Sequence, residues 1–187
     1  MEEEVQLYLD DAFEKMNKAV IHLDEELGRV RAGKASPAVL EGIMVDYYGS
    51  LTSLSQVSNI NTPDARTIAI QPWEKSMIEP IEKAIMAANL GLNPMNNGEM
   101  IRINVPILTE ERRKDLVKQI KQMGETTKVS IRNARRDANE TFKKMKKEGL
   151  AEDLEKDAEQ QVQDATDKYI VKVDKLLELK EKDIMTV

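Results

Sequence analysis

Apolar residues recur in steps of three and four at Val5, Leu9, Ala12, Met16, Ala19, Leu23, Leu27 and Val30. That spacing marks one face of a helix. The run covers roughly 30 residues, longer than an ordinary globular helix, and so predicts a bundle or coiled coil. Its polar face is acidic (Asp10, Asp11, Glu14, Asp24, Glu25, Glu26), and Pro37 stops any continuation, because the residue before a proline is pushed out of helical geometry. A second long seam runs through Leu116, Ile120, Met123, Thr127, Ile131, Ala134, Ala138, Phe142 and Met145. Thr109 suits the N-cap, with Glu110 and Glu111 in the first turn where carboxylates favour the positive helix end. This helix is predicted to be roughly 38 residues, or about 57 Å, long. Gly149 breaks it, and a third helix follows with Leu154, Ala158, Val162, Ala165, Tyr169, Val173 and Leu176. Its steps give about 3.67 residues per turn, which suits a nearly straight bundle.

Between the first two helices the pattern changes. Gly42–Tyr48 and Leu51–Leu54 alternate as strands around Gly49-Ser50, a hairpin turn. Ser58–Ile60 and Thr67–Gln71 form a second predicted pair, turning at Asn61–Asp64. Trp73–Asn89 returns to helical spacing with Gly91 as its stop signal. Asn93-Pro94 and Asn97-Gly98 then punctuate a last hairpin whose returning strand is Met100–Val105. The fold class is therefore α+β. Each long helix has a single apolar stripe, so the three pack on one another as an elongated bundle. Residues 1–30 and 106–187 form that bundle, and residues 31–105 form a small inserted β/α/β domain. The insert hangs from two linkers, so Val30, Arg31, Ala32, Gly33, Val105 and Pro106 are the expected hinge.

Charge sharpens this picture. The chain has 28 basic and 34 acidic residues, yet Arg112–Lys147 holds thirteen Lys/Arg against four acids. One basic rod in an otherwise acidic protein points to nucleic acid. On a helical wheel Lys114, Lys118, Lys121, Lys128, Arg132, Arg136, Lys143 and Lys146 fall in one stripe beside the apolar seam, with Arg135 at its edge. Two readings stay open on charge alone: polyanion binding, or pairing with the acidic faces of the other helices, where each exposed pair contributes little. Lys143, Lys144, Lys146 and Lys147 also sit where cations offset the helix dipole. Arg132, Arg135 and Arg136 lie mid-helix and are all arginine, the residue favoured for gripping phosphate.

Other chemistry is sparse. The chain has no cysteine and one histidine, His22, so neither a disulfide nor a histidine cluster is available. His22 reads as a partly exposed packing residue. Gly28–Ala35 imitates a P-loop, but Ala35 replaces the Mg²⁺-binding hydroxyl and the segment follows a helix rather than a strand. Asp10-Asp11 and Glu25-Glu26 point about 100° apart on a helix and belong to a solvated face. No metal site, cofactor or catalytic constellation is expected, and no apolar run approaches a membrane span. The expectation is a cytoplasmic, monomeric, non-enzymatic protein.

Six blocks carry a family resemblance: R-A-G-K-A-S-P (Arg31–Pro37), V-D-Y-Y-G (Val45–Gly49), E-K-A-I (Glu82–Ile85), G-L-N-P (Gly91–Pro94), L-T-E-E-R-R-K-D-L (Leu108–Leu116) and R-N-A-R-R-D-A-N (Arg132–Asn139). In order and spacing they resemble the bacterial ribosome recycling factors, over essentially the whole chain. The resemblance implies an L-shaped, hinged molecule near transfer RNA in size. It implies binding to the 70S ribosome after termination and splitting of the subunits with elongation factor G and GTP. It makes Arg132 the leading candidate for a contact to 23S rRNA of the large subunit. Arg135, Arg136, Arg112 and Arg113 would support it, with Arg31 near the hinge and Lys128 and Lys121 along the stripe. Two departures are Lys34, where the family often has arginine, and Ser53, where proline is common. The competing expectation is a helical scaffold or chaperone that binds protein partners.

Overall fold

The computed structural model describes residues 2–186. The chain divides into two compact units, residues 1–31 with 110–187, and residues 32–109. Arg31 thus belongs with the helices, and Pro106–Thr109 belong with the insert, a shift of a few residues from the boundaries expected at 30/31 and 105/106. On the return path the reason is local: Leu108 packs against Gly33 and so stays with the insert.

The first unit is a bundle of three mutually packed helices, α1 (Glu2–Arg29), α4 (Glu110–Lys147) and α5 (Glu152–Met185). Leu9, Met16, Leu23, Ile120, Ile131, Phe142, Val162 and Val173 fill its core. Four seam positions differ from the periodic reading by one residue. Val20 is buried and Ala19 only half-buried; Gly124 is buried and Met123 half-buried; Glu155 is buried and Leu154 half-buried; Thr166 is buried and Ala165 half-buried. Each helix packs against two others, so its buried stripe is wider than a single seam and neighbouring residues share it.

At Gly124 the helices approach closely. A β-carbon there would overlap the side chain of Leu177 on α5. Gly124→Val is therefore expected to cost about 1–3 kcal/mol through overpacking. Urea unfolding checks this: the midpoint should fall with an unchanged slope.

The turn from α4 to α5 is sharply defined. Gly149 sits at φ 112°, its N–H donates to Lys146 O at 3.1 Å, and Leu150 N–H donates to Met145 O at 2.9 Å. These are the two bonds of a Schellman motif, and the buried Leu150 and Met145 supply its apolar contact.

The second unit has two antiparallel sheets. Strands β1 (Met44–Tyr47) and β2 (Ser50–Ser53) form a hairpin, and β3 (Ser58–Asp64), β4 (Thr67–Pro72), β5 (Pro94–Asn96) and β6 (Ile101–Asn104) pair in the order β3-β4-β6-β5. Helices α2 (Leu54–Val57) and α3 (Ile78–Ala87) and two 3-10 turns, Pro37–Leu40 and Lys75–Met77, complete the unit. Its core is aliphatic, with Val45, Ile68, Ile70, Ile81, Ile85, Ile101 and Ile103 at its centre. Leu54 therefore opens a short helix and does not extend a strand. The second hairpin turns later than its composition predicts. Asn61–Asp64 lies within β3, with a register irregularity between Asn61 and Asp64, and the turn is Ala65-Arg66. Pro63 cannot donate to a ladder and so falls at the irregularity, while Asp64 Oδ1 accepts from Arg66 N–H at 2.8 Å. That backbone bond, followed by one from the Thr67 side chain, holds the Asp64 carboxyl below its ordinary value. Helix α3 ends before Gly91, with Asn89 in the left-handed region at φ 50°, a conformation asparagine tolerates better than most residues.

Both ends of the insert meet this same turn. Ala35 N–H donates to Ala65 O at 2.8 Å, and Val105 N–H donates to Arg66 O at 2.7 Å. Outside these bonds Gly33, at φ 72°, packs against Leu108 so closely that a β-carbon would lie 2.6 Å from Leu108 Cγ.

Candidate nucleic-acid interface

The basic residues of α4 separate into two rows. With Ile131 at 0° and about 100° per residue, Arg135, Lys128, Lys146 and Lys121 lie between about 40° and 80°. All four reach across to α5. Lys128 Nζ is 2.6 Å from Asp174, with its side chain only 16% exposed. Lys146 Nζ is 2.7 Å from Glu155, Lys121 Nζ is 3.6 Å from Glu181, and Arg135 donates to Gln163 Oε1 at 3.1 Å. Glu155 is buried, so Lys146 supplies the counter-charge its carboxylate requires. That hydrogen bond, with the added pull of Glu152, holds the Lys146 ammonium above its ordinary value. The inner row thus faces α5 and is bonded to it, most tightly at Lys128 and Lys146.

The outer row lies between about 100° and 140° and contains Lys118, Arg132, Arg136 and Lys143. Lys118, Arg136 and Lys143 are exposed, and Arg132 is half-buried. Among the described residues none of the four has an ion-pair partner. Lys114, near about 100°, pairs at 3.2 Å with Glu110 one turn earlier on the same helix. The outer row spans about 37 Å from Lys118 to Lys143 at 1.5 Å per residue. Its charge is not neutralised by α5, and its arginines present planar donor forks suited to phosphate.

The remaining predicted residues lie elsewhere. Arg113 is half-buried along the seam line and Arg112 is exposed on the other flank. Arg31 is exposed just beyond α1, Val30 is buried, Ala32, Gly33 and Val105 are half-buried, and Pro106 is exposed. The rows bring Arg132 and Arg136 together but separate both from Lys121, Lys128 and Arg135. Lys118 and Lys143 join the outer row although they were not among the leading candidates. Their only signal in the sequence was their angle, which matters once the position of α5 is known.

The family model for ribosome recycling factor matches residues 23–185. The chain belongs to the ribosome recycling factor family. It is 57% identical to the ribosome-recycling factor of Flavobacterium johnsoniae over the full length of both chains. It is 59% identical to that of Phocaeicola vulgatus over 96% of each. A solution structure of a ribosome recycling factor superimposes with a TM-score of 0.79 at 41% identity, covering 98% of both chains. A T. thermophilus ribosome recycling factor, described together with E. coli elongation factor G on the E. coli post-termination complex, gives a TM-score of 0.62 at 42% identity, covering 97% of this chain and 99% of that one. As a ribosome recycling factor the chain is a translation factor and not an enzyme. Among the described residues no helix is long and apolar enough to cross a membrane.

Proposed function

We propose that the outer row of α4 grips ribosomal RNA of the large subunit, and that the inserted unit moves about its two linkers when elongation factor G acts with GTP to split the post-termination ribosome. The factor acts as a monomer in the cytoplasm. The observation that carries this reading is the split of one basic helix into a row bonded to α5 and a row left facing solvent. Phosphates of A-form RNA are engaged mainly through backbone and shape, which suits a straight row of cations on a stiff helix. Arg112, Arg113 and Arg31 would add contacts outside the row.

The two rows give a direct test by pelleting with 70S ribosomes across a salt series. Arg136→Ala removes a solvent-facing cation and is expected to weaken binding and to lower the log–log salt slope by about 0.7–0.9. Lys128→Ala removes a cation committed to Asp174. It is expected to cost about 1 kcal/mol of stability and to leave the salt slope nearly unchanged. Equal slopes for the two variants would overturn the assignment of RNA contact to the outer row.

A further inference from the structure

The inserted unit contains a cleft unrelated to the basic helix. The Tyr47–Tyr48–Gly49 end of the first hairpin folds toward the segment leaving β4. Tyr48 at φ 49° and Gly49 at φ 86° form the two-residue turn, the left-handed pair typical of a tight hairpin. Tyr47 donates to Glu74 Oε1 at 3.0 Å and Tyr48 donates to Glu74 Oε2 at 2.6 Å. The two tyrosine rings meet edge-on with centroids 4.7 Å apart. Next to Glu74, Trp73 is anchored through its N–H to Val57 O at 3.0 Å, while its side chain is 68% exposed. Between hairpin and tryptophan lies a cleft of about 280 Å³ walled by Tyr47, Thr52, Gln56, Trp73 and Glu74, with Val57 and Met77 as its apolar floor.

Three properties of this cleft bear on its ligand. Its volume falls just under the usual range for small-molecule pockets, and suits one long side chain. Its walls include two aromatic rings, whose faces attract cations. Its carboxylate receives hydrogen bonds from neutral hydroxyls, but among the described residues no cation is paired with it. Those hydroxyls, Tyr48 first and then Tyr47, hold the Glu74 carboxyl below its ordinary value, so it is charged at neutral pH. A negative site of this kind repels phosphate and favours a cation as its occupant.

We propose that the Tyr47–Trp73–Glu74 cleft binds an arginine side chain presented by a protein partner. The guanidinium stacks against Trp73 and pairs with Glu74, with Thr52 and Gln56 available to its remaining N–H groups. Arginine fits better than lysine because a planar cation can stack and bond at once.

Trp73 is the only tryptophan of the chain, so its fluorescence reports on the cleft in the unaltered protein. Titration with acetyl-arginine methylamide is expected to change Trp73 emission saturably, with a dissociation constant of roughly millimolar order. The citrulline analogue, which has the same shape without the charge, should bind at least about fivefold more weakly, the difference a charge-assisted bond makes. Raising the salt should weaken the arginine response alone. Glu74→Gln should weaken arginine binding toward the citrulline level. Equal responses to arginine and citrulline, or an arginine response indifferent to salt, would overturn the proposal. Both measurements use the native chain, so they stand even if Glu74→Gln loosens the hairpin.

Discussion

Arg132→Glu is expected to abolish ribosome binding while the protein stays folded. Arg132 is half-buried and has no ion-pair partner among the described residues, so its replacement strands no buried charge. The helix loses little, since arginine and glutamate are both good helix formers. At an RNA surface the change removes charge-assisted bonds and adds repulsion from the neighbouring phosphates. One charged hydrogen bond contributes about 1.5–3 kcal/mol, so removal alone weakens binding by roughly 10- to 100-fold before repulsion is added. Pelleting with 70S ribosomes and thermal unfolding together make the measurement. Unchanged pelleting would refute the RNA reading of the outer row. A large fall in unfolding temperature would show instead that Arg132 is structural.

The second large effect is expected at the linkers. Val30 is held to α1 and Ala35 to the β3–β4 turn; on the return path Val105 is held to that turn and Glu110 begins α4. Only short stretches on each strand of chain therefore remain to absorb a change of angle. The chain contains no native cysteine, so a pair introduced one in each linker, at Ala32 and Pro106, can be joined selectively by a cleavable bifunctional reagent. The crosslinked protein is expected to bind 70S ribosomes normally and to fail in subunit splitting with elongation factor G and GTP. Cleaving the reagent should restore splitting. Full activity of the crosslinked form would rule out movement about these linkers as part of recycling.

Much of the architecture was legible because the three long helices each carry an unbroken apolar seam, and the insert is punctuated by Gly49, Asn97-Gly98 and Pro106. The errors have physical causes. Asn61–Asp64 has the composition of a turn, but Asp64 uses its side chain to cap the turn that follows it. The seam reading turns Leu154 inward, but Leu154 is half-buried and Glu155 is buried beside it, a burial that depends on Lys146 across the Gly149 turn. The basic stripe was visible as one feature only. Its division requires knowing which flank α5 covers, and helical periodicity gives a residue's angle without naming its neighbour. The cleft was hidden for a related reason, because Tyr47 and Glu74 are distant in sequence and meet through tertiary packing.

The double attachment at Ala65-Arg66 changes what the insert costs the bundle. To the helices, a stretch from Ala32 to Thr109 would be a long flexible loop if it were unstructured. With both ends gathered on one turn, it closes like a loop of about ten residues, a difference of about 2 kcal/mol in closure entropy. The arm is therefore thermodynamically light: an entire folded unit is carried by the bundle at little more than the cost of an ordinary connection.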